Sequence, residues 1–474
     1  MKSGLDVRPH AASLAIAALA VACRGRAEAT DQDPGASAST TVPSSIEAPS
    51  SAPAVASAEP SAPVVASASA SAPAVPFAKE FITRDYASGP FYFTPAYDGS
   101  LRFSLWTGTI AFARRMEQLH GQRPHFTFFV NAAYYTTERV KSDIGNATTR
   151  DEVLVRRALT QLAINDGHEI GDHGMGHLDG RTFDEAAWTE ELDRFHAVMD
   201  HTLFEPVLDA SGKPAFPKFV PLPDAETGKT GASCEKDADC VSGPCVDLGS
   251  AKLCSQACNL SRRCPTGTAC GAPMFKEDTD FCLPPPAFPI KLDGETLFDA
   301  KGNANPKSKR LVPYRIFGFR APYLGVNDAL YQALIRRGYV YDTSQAQSPP
   351  EPPYFLASGD AKILELALMP HPGALAIPMD YNYRLEKGSP ERMRADYLAA
   401  LEASYKAGRR PWNVGHHFAS WGDGTYLPVL EETIEHALSG CPALGEKRCP
   451  DTRVVSFREL ATVVRSSAVK AKSK

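Results

Sequence analysis

Eight of the chain's eleven cysteines fall between Cys234 and Cys282. A stretch this dense in cysteine, and otherwise rich in Gly, Asp, Ser and Pro, holds too little apolar material to build a core of its own and needs crosslinks or metal. It cannot be an ordinary part of a large domain, so residues 209–310 are expected to form a small insertion between two halves of one. Four disulfides are the expected staples, although the sequence cannot choose their pairing. Zinc is the rival reading, but the spacings contain no clean pair of Cys-x-x-Cys knuckles. Cys441 and Cys449 are expected to close a smaller loop, which leaves Cys23 alone.

The two flanks of the insertion, residues 77–208 and 311–465, alternate between strand and helix periodicity. Phe126 to Val130 is a short aromatic run typical of a buried strand, while Trp106, Ile110, Ala113 and Met116 share one helical face. Val155, Leu159 and Leu162 predict a second helix. Thr182 with Glu185 suggests a capping box for a third, carrying Trp188, Leu192 and Phe195. Downstream, Asp328 is expected to cap a helix to Arg337 before a Tyr339 to Asp342 strand. Ser389-Pro390 opens a long helix that Gly408 stops, Trp412 to Gly415 forms a strand, and Val454 to Phe457 precedes a last helix. Such alternation predicts an α/β fold of parallel strands covered by helices, and the combined length suits a distorted (β/α) barrel of seven or eight strands, whose relatives run to ~250 residues. In a barrel, chemistry belongs at the C-terminal strand ends. Asp98, His173, His177, Arg320, Asp342 and His416 each follow an apolar stretch that can be such a strand.

The first 76 residues read differently. Lys2 and Arg8 precede an apolar stretch from Ala11 to Ala22, the length of an export signal and too short for a spanning helix. Ala20-Val21-Ala22-Cys23 resembles a bacterial lipobox, with Ala20 where that motif usually has Leu; it implies acylation of Cys23 and a membrane anchor at the cell envelope. Residues 24–76 are read as a disordered linker, because Pro34 to Pro76 is almost wholly Ala, Ser, Pro, Thr and Val with no aromatic residue. Residues 466–474 form a basic tail. Fifty Lys plus Arg against 55 Asp plus Glu give a net charge of −5, with no basic run to follow a phosphate backbone, so nucleic acid is not an expected partner.

The sharpest chemical constellation is Gly167 to His177, which holds His173 and His177 four residues apart among glycines that let the backbone turn tightly. Two imidazoles need a carboxylate to complete a metal site. Asp98, in Tyr97-Asp98-Gly99, is the natural candidate because a barrel gathers its strand ends.

These motifs resemble those of the polysaccharide deacetylase family, the NodB-homology or carbohydrate esterase family 4 proteins. Ala96-Tyr97-Asp98-Gly99 is similar to the family's Thr-Phe-Asp-Asp-Gly, Thr127 to Val130 to its Thr-Phe-Phe-Val strand, and Gly167 to His177 to its Gly-His-Glu-Ile-Gly-Asn-His…His motif. Phe319 to Tyr323 resembles its Arg-x-Pro-Tyr motif, Tyr341 to Ser344 its fourth motif, and Val414-Gly415-His416 its Leu-x-His motif. The resemblance covers both flanks and omits the linker and the insertion. It implies that Asp98, His173 and His177 bind a divalent metal, commonly zinc, and that the reaction is hydrolysis of an N-acetyl or O-acetyl group on an envelope or extracellular glycan, peptidoglycan or chitin-like. It implies further that the Tyr323 backbone N–H receives charge from the intermediate, that His416 protonates the leaving amine, with His417 as the rival, and that Arg320 orients the catalytic aspartate.

One position departs from the family. Where it has its general base, this chain has Tyr97, a phenol with a reference pKa of ~10. Asp380 and Asp342 also follow apolar stretches, and Asp380 is the expected replacement, whereas Asp172 is expected to point away. Trp421 and Tyr426 beyond His416 are candidates for a sugar-stacking surface. The competing reading is a glycan-binding envelope lipoprotein that Tyr97 has left without turnover, with the insertion placed over the mouth of the site. A metallopeptidase fits less well, since no His-Glu-x-x-His occurs.

Overall fold

The computed structural model describes residues 76–271, 279–347, 351–369, 377, 379–418, 424–445 and 448–472. The export segment, Cys23 and the linker lie outside these. Among the described residues no helix is long and apolar enough to cross a membrane.

Chain order in the α/β region runs β1 (Ala78–Phe81), β2 (Phe91–Asp98), α1 (Phe103–His120), β3 (Thr127–Val130), α2 (Arg150–Asn165), β4 (Glu169–Asp172) and α3 (Glu185–Met199) before the insertion. After it come β5 (Gly318–Phe319), α4 (Asp328–Arg337), β6 (Tyr341–Asp342), β7 (Tyr354–Ser358), β8 (Ala361–Glu365), α5 (Asp380–Leu385), α6 (Pro390–Lys406), β9 (Trp412–His417), α7 (Leu427–Leu438), β10 (Thr452–Val454) and α8 (Phe457–Lys472). One ten-stranded sheet takes the order β1-β7-β8-β6-β5-β4-β3-β2-β9, with β10 beside β2. The strands from β8 to β9 in that order are all parallel, and β7 and β1 fold back antiparallel at one edge.

The expected α/β fold with a small disulfide-rich insertion is therefore present, but the ladder does not close into a regular barrel. Where β8 runs on towards β9, the seam consists of the Met369 N–H donating to the Asn413 carbonyl (3.2 Å), the Asn413 amide to Ala367 (3.0 Å) and the Trp412 indole to Met369 (3.3 Å). Side chains there replace strand pairing.

Local rules set most helix boundaries. In α1 the expected face is buried, and Gly121, at φ 70°, ends the helix by donating to Glu117 (2.8 Å). Asp184 caps α3, while Thr182 lies in a preceding 3-10 turn; Asn327 caps α4 in place of Asp328. In both cases the cap is the residue just outside the first helical turn, whose side chain can reach back to its amides.

Parallel register assigns every strand residue a face. Ala96, Phe129, Tyr341 and Leu364 share the face that packs on Phe457, Leu460 and Ala461 of α8; we call it inner. The outer face packs on α1, α2, α3, α4 and α6 through a larger core that includes Trp106, Trp188 and Trp412. Glu169 ties α8 to the inner face, since its carboxylate accepts from Thr127 (2.8 Å), Tyr341 (2.9 Å) and the Arg458 backbone N–H (2.7 Å). Burial pushes its pKa up to about 7 against those bonds.

The insertion is crosslinked by Cys234–Cys245, Cys240–Cys254, Cys258–Cys270 and Cys264–Cys282, and Cys441–Cys449 closes the expected loop. Sulfurs so bonded offer zinc no thiolate. The insertion packs on α1 and α2, where Val246, Leu248, Leu253 and Leu283 enter the larger core. Asp280 fixes this docking: its carboxylate accepts from the Phe103 (2.8 Å) and Ser104 (2.7 Å) N–H groups at the start of α1.

Candidate active site

Register separates neighbours at the strand ends. Asp98 pairs with Phe129 on β3 and His417 on β9, which places it on the inner face; Tyr97 pairs with Phe128 and His416 on the outer one. Tyr97 is 1% exposed, stacks on Phe128 with ring centroids 5.6 Å apart, and lies 5.1 Å from Phe418. Burial drives its pKa well up. It therefore packs behind the sheet and does not stand where a base would meet substrate.

His416 also faces outward. It exchanges a 2.8 Å hydrogen bond with the Tyr397 hydroxyl in α6, and burial lowers its pKa to about 4. His417, one residue on, is bonded through Nδ1 to Asp380 (2.7 Å), whose carboxylate also accepts the His417 backbone N–H (3.3 Å). Burial works against charge on His417, yet the Asp380 carboxylate outweighs it and holds the imidazole above its ordinary value. Burial likewise opposes charge on Asp380, but His417 keeps that carboxylate below its usual range. Asp380 thus orients a histidine and is not poised as a free base. Asp342, the other candidate, points outward beside Glu365, and burial raises the pKa of both carboxyl groups.

Asp98 has its own partner. The Arg320 guanidinium, fully buried and lying 4.4 Å from the centre of the Phe129 ring, donates to Asp98 Oδ1 at 2.7 Å. A second arm of the same guanidinium reaches the Thr343 hydroxyl (3.3 Å). Gly99 turns the chain immediately after Asp98 at φ 89°, with its N–H on the Phe129 carbonyl (2.8 Å), and only glycine adopts that backbone without strain.

The loop from His173 to His177 is held from α3. Glu191 accepts the Met175 N–H (2.7 Å) and the Gly176 N–H (3.3 Å), and a Cβ on Gly174, at φ 77°, would meet that carboxylate at 3.1 Å. Asp172 points outward, as expected, and accepts from the Gly174 N–H (2.6 Å) and the Tyr339 hydroxyl. His173 and His177 lie with ring centroids 4.9 Å apart, and burial lowers both pKa values, that of His177 to about 2, so both are neutral. Three non-glycine residues here, His177, Tyr323 and Leu324, have φ between 51° and 59°. Each costs about 1–3 kcal/mol, a strain that collects where surrounding structure imposes it for function.

A metal would require a free lone pair from each donor. His173 fits: its Nδ1 bonds the Arg320 carbonyl (2.8 Å), which leaves Nε2 with its lone pair, the arrangement of a metal-ligating imidazole. His177 lacks that support, since its buried Nδ1 has no partner among the described residues. Asp98 meets Arg320 through Oδ1 alone. Among the described residues, the sets of three donors within 4.8 Å of one another are cysteine groups already in disulfides, so Asp98, His173 and His177 do not close around one ion. As the side chains stand, the arrangement supplies two imidazoles and no closed three-donor set.

Trp421 lies outside the described residues. Tyr426 is buried, with its hydroxyl on the Gly388 carbonyl (2.7 Å), so it offers no stacking face. Tyr323 is 52% exposed, its ring edge-on to His177 at 4.7 Å. Sequence reasoning missed Glu191, and left His417 as the rival to His416. Counting strand phase from Asp98 is the signal that selects His417.

No family model and no curated protein matches the chain. Solved structures do. A Mycobacterium smegmatis protein assigned as a polysaccharide deacetylase is 14% identical with a TM-score of 0.42, covering 82% of this chain and 95% of that one. A family 4 carbohydrate esterase from Streptomyces lividans, solved with acetate, is 8% identical with a TM-score of 0.29, covering 73% and 88%. A family 4 pseudoenzyme from Bacillus anthracis is 6% identical with a TM-score of 0.33, covering 78% and 66%. An allantoinase is similar at the same level, 10% identical with a TM-score of 0.40, so the chemistry has to rest on the site itself.

Proposed function

We propose that this chain hydrolyses an acetyl group, N-linked or O-linked, from a glycan of the cell envelope or its surroundings. The observation that carries this reading is the inner face at the strand ends, where Asp98 is held by Arg320 and His417 by Asp380. Asp98 takes the proton of an attacking water as general base, in place of the Asp380 expected from sequence. Arg320 keeps its carboxylate aimed. His417, favoured in its protonated form by Asp380, donates to the departing amine or alcohol, the part expected of His416. The backbone N–H of Tyr323 is the proposed donor to the oxyanion. No step is routed through zinc, which the sequence resemblance implies, because Asp98, His173 and His177 do not close around one ion as the side chains stand.

The test is acetate release from acetylated chitooligosaccharides and peptidoglycan by the full chain, with its metal content measured in parallel. Release that is lost in Asp98→Asn and His417→Asn supports the assignment, and release that survives both variants ends it. The incomplete donor set favours a second reading, a glycan-binding protein without turnover, for which glycan binding without acetate is the expected result. Anchoring at the envelope through an acylated Cys23 is also proposed, on the lipobox-like sequence. An unmodified Cys23 in the mature protein's mass spectrum refutes it.

A further inference from the structure

Past Cys282 the insertion carries no further cysteine and ends in a hairpin of Ile290–Leu292 with Glu295–Phe298. Arg150, the first residue of α2, donates to the Lys301 carbonyl just beyond that hairpin. Between the hairpin, α2 and the C-terminal end of α3 lies a cavity of about 830 Å³, none of whose lining residues belongs to the strand-end cluster. Phe204, Phe216, Phe288 and Phe298 line it, and the Phe298 ring stands edge-on to those of Phe204 (5.7 Å) and Phe216 (4.9 Å). Most polar groups in the lining are already engaged. Gln161 donates to the Phe204 carbonyl (2.8 Å) and accepts its N–H (3.1 Å), and Thr202 donates to Val198 (2.6 Å). The Asn303 amide is on Asp299 (2.9 Å), while Asn305 is held between the Thr296 carbonyl (2.8 Å) and the Lys307 N–H (3.0 Å). Such a lining offers little to a ring of sugar hydroxyls. Arg157 is the exception. Its Nη2 donates to the Tyr135 carbonyl (2.9 Å), but its Nε has no acceptor and its guanidinium no carboxylate partner among the described residues. Burial, and then the like charge of Arg150, pull its pKa down.

We propose that this cavity binds a small molecule with an apolar body and a single carboxylate, such as a medium-chain fatty acid, with its chain among the phenyl rings and its carboxylate on Arg157. A guanidinium withdrawn from water needs an anion beside it, and the protein supplies none here. A carboxylate answers that need through charge-assisted hydrogen bonds to a planar cation. The apolar walls take the remainder of the molecule out of water, and the volume falls within the range of about 300–1,000 Å³ that small-ligand sites occupy. Because the insertion's hairpin and the sides of α2 and α3 form this site, it stands whether or not the chain releases acetate.

The full chain is titrated calorimetrically with sodium decanoate, kept below the concentration at which it forms micelles, and with 1-decanol as its uncharged counterpart. Wild type is compared with Arg157→Gln and with Ala304→Trp, which fills the cavity from a half-buried lining position without removing any core side chain. Decanoate is expected to bind the wild type, to bind Arg157→Gln about tenfold more weakly or worse, and to lose binding in Ala304→Trp. Decanol is expected to bind weakly, and equally to wild type and Arg157→Gln. Where circular dichroism shows a variant unfolded, Arg157→Lys, expected to weaken decanoate about threefold, or Ala197→Trp, at a second lining position, takes its place. A wild type that does not bind decanoate overturns the site. So does decanoate binding that the tryptophan variant leaves unchanged, or that Arg157→Gln leaves as tight as in wild type. Decanol that binds wild type as tightly as decanoate refutes the carboxylate, and tighter binding of penta-N-acetylchitopentaose that the tryptophan variant removes refutes the apolar ligand.

Discussion

On the outer side of β2 and β9, Tyr97 and His416 sit among Phe128, Phe418 and Tyr397, while one residue further along each strand Asp98 and His417 face inward, each against a group of opposite charge. The outer pair is neutral: burial raises the phenol pKa and lowers the imidazole pKa, and no charged partner reverses either shift. Each member of the inner pair has a counter-group built in beside it, Arg320 for Asp98 and Asp380 for His417. The lesson is that burial alone does not make a residue inert or reactive at these strand ends; what decides is whether the fold places a counter-charge within hydrogen-bonding distance.

That contrast can be broken most directly at Asp98. Asp98→Asn is expected to lower acetate release by about 10²–10⁴-fold, and to destabilise the fold by about 3–5 kcal/mol by stranding the buried Arg320 charge. The double variant Asp98→Asn with Arg320→Met is expected to regain much of the stability in urea unfolding and none of the activity. Parallel recovery of both would show that Asp98 is structural.

His417→Asn is expected to cost about 10²-fold or more in turnover. Asp380→Asn sharpens the comparison through pH. Loss of the carboxylate that raises the His417 pKa moves deprotonation of the acid, and with it the alkaline limb of the rate profile, to lower pH. Stability follows the same pair. Asp380 is depressed and His417 raised, so their contribution is complete between about pH 4 and 6.5, fades as pH falls through the lowered Asp380 value, and fades as it rises through the raised His417 value. An alkaline limb unmoved in Asp380→Asn would separate His417 from the chemistry.

A smaller effect is expected on the outer face. His416→Ala should leave turnover within about tenfold of wild type, short of what a positioned acid supplies, and cost about 1–3 kcal/mol by removing the hydrogen bond between its ring and the Tyr397 hydroxyl. A loss in turnover as deep as that of His417→Asn would return the acid role to His416. The least effect belongs to Tyr97→Phe. It removes a buried hydroxyl that makes no hydrogen bond among the described residues, so stability in urea should hold or rise by up to ~1 kcal/mol and turnover should not change.

Helices and strands were readable in the sequence because their spacing repeats: the α1 face of Trp106, Ile110, Ala113 and Met116 is the one observed. Facing at the strand ends was not. β2 is buried along almost its whole length, on both faces, so hydrophobic alternation cannot tell Tyr97's side from Asp98's. Phase had to come from neighbouring strands, which only the register supplies. Asp380 was found as a carboxylate near the site, but its attachment to His417 spans 37 positions and leaves no local mark. The capping boundaries missed by one or two residues, because Asp and Thr near a helix start compete for one role.

The carboxylate of Asp280 belongs to the crosslinked insertion, yet it completes the first turn of a helix 177 positions earlier in the chain. A polypeptide that emerges from its amino end therefore presents α1 long before the group that satisfies its first amides exists outside. Until then the segment just after Asp98 is held by Arg156, which donates to the carbonyls of Ser100 (3.0 Å) and Leu101 (2.9 Å), without its distant cap. Completion of the first turn of α1, a few residues beyond Asp98, is thus tied to the folding of the crosslinked insertion.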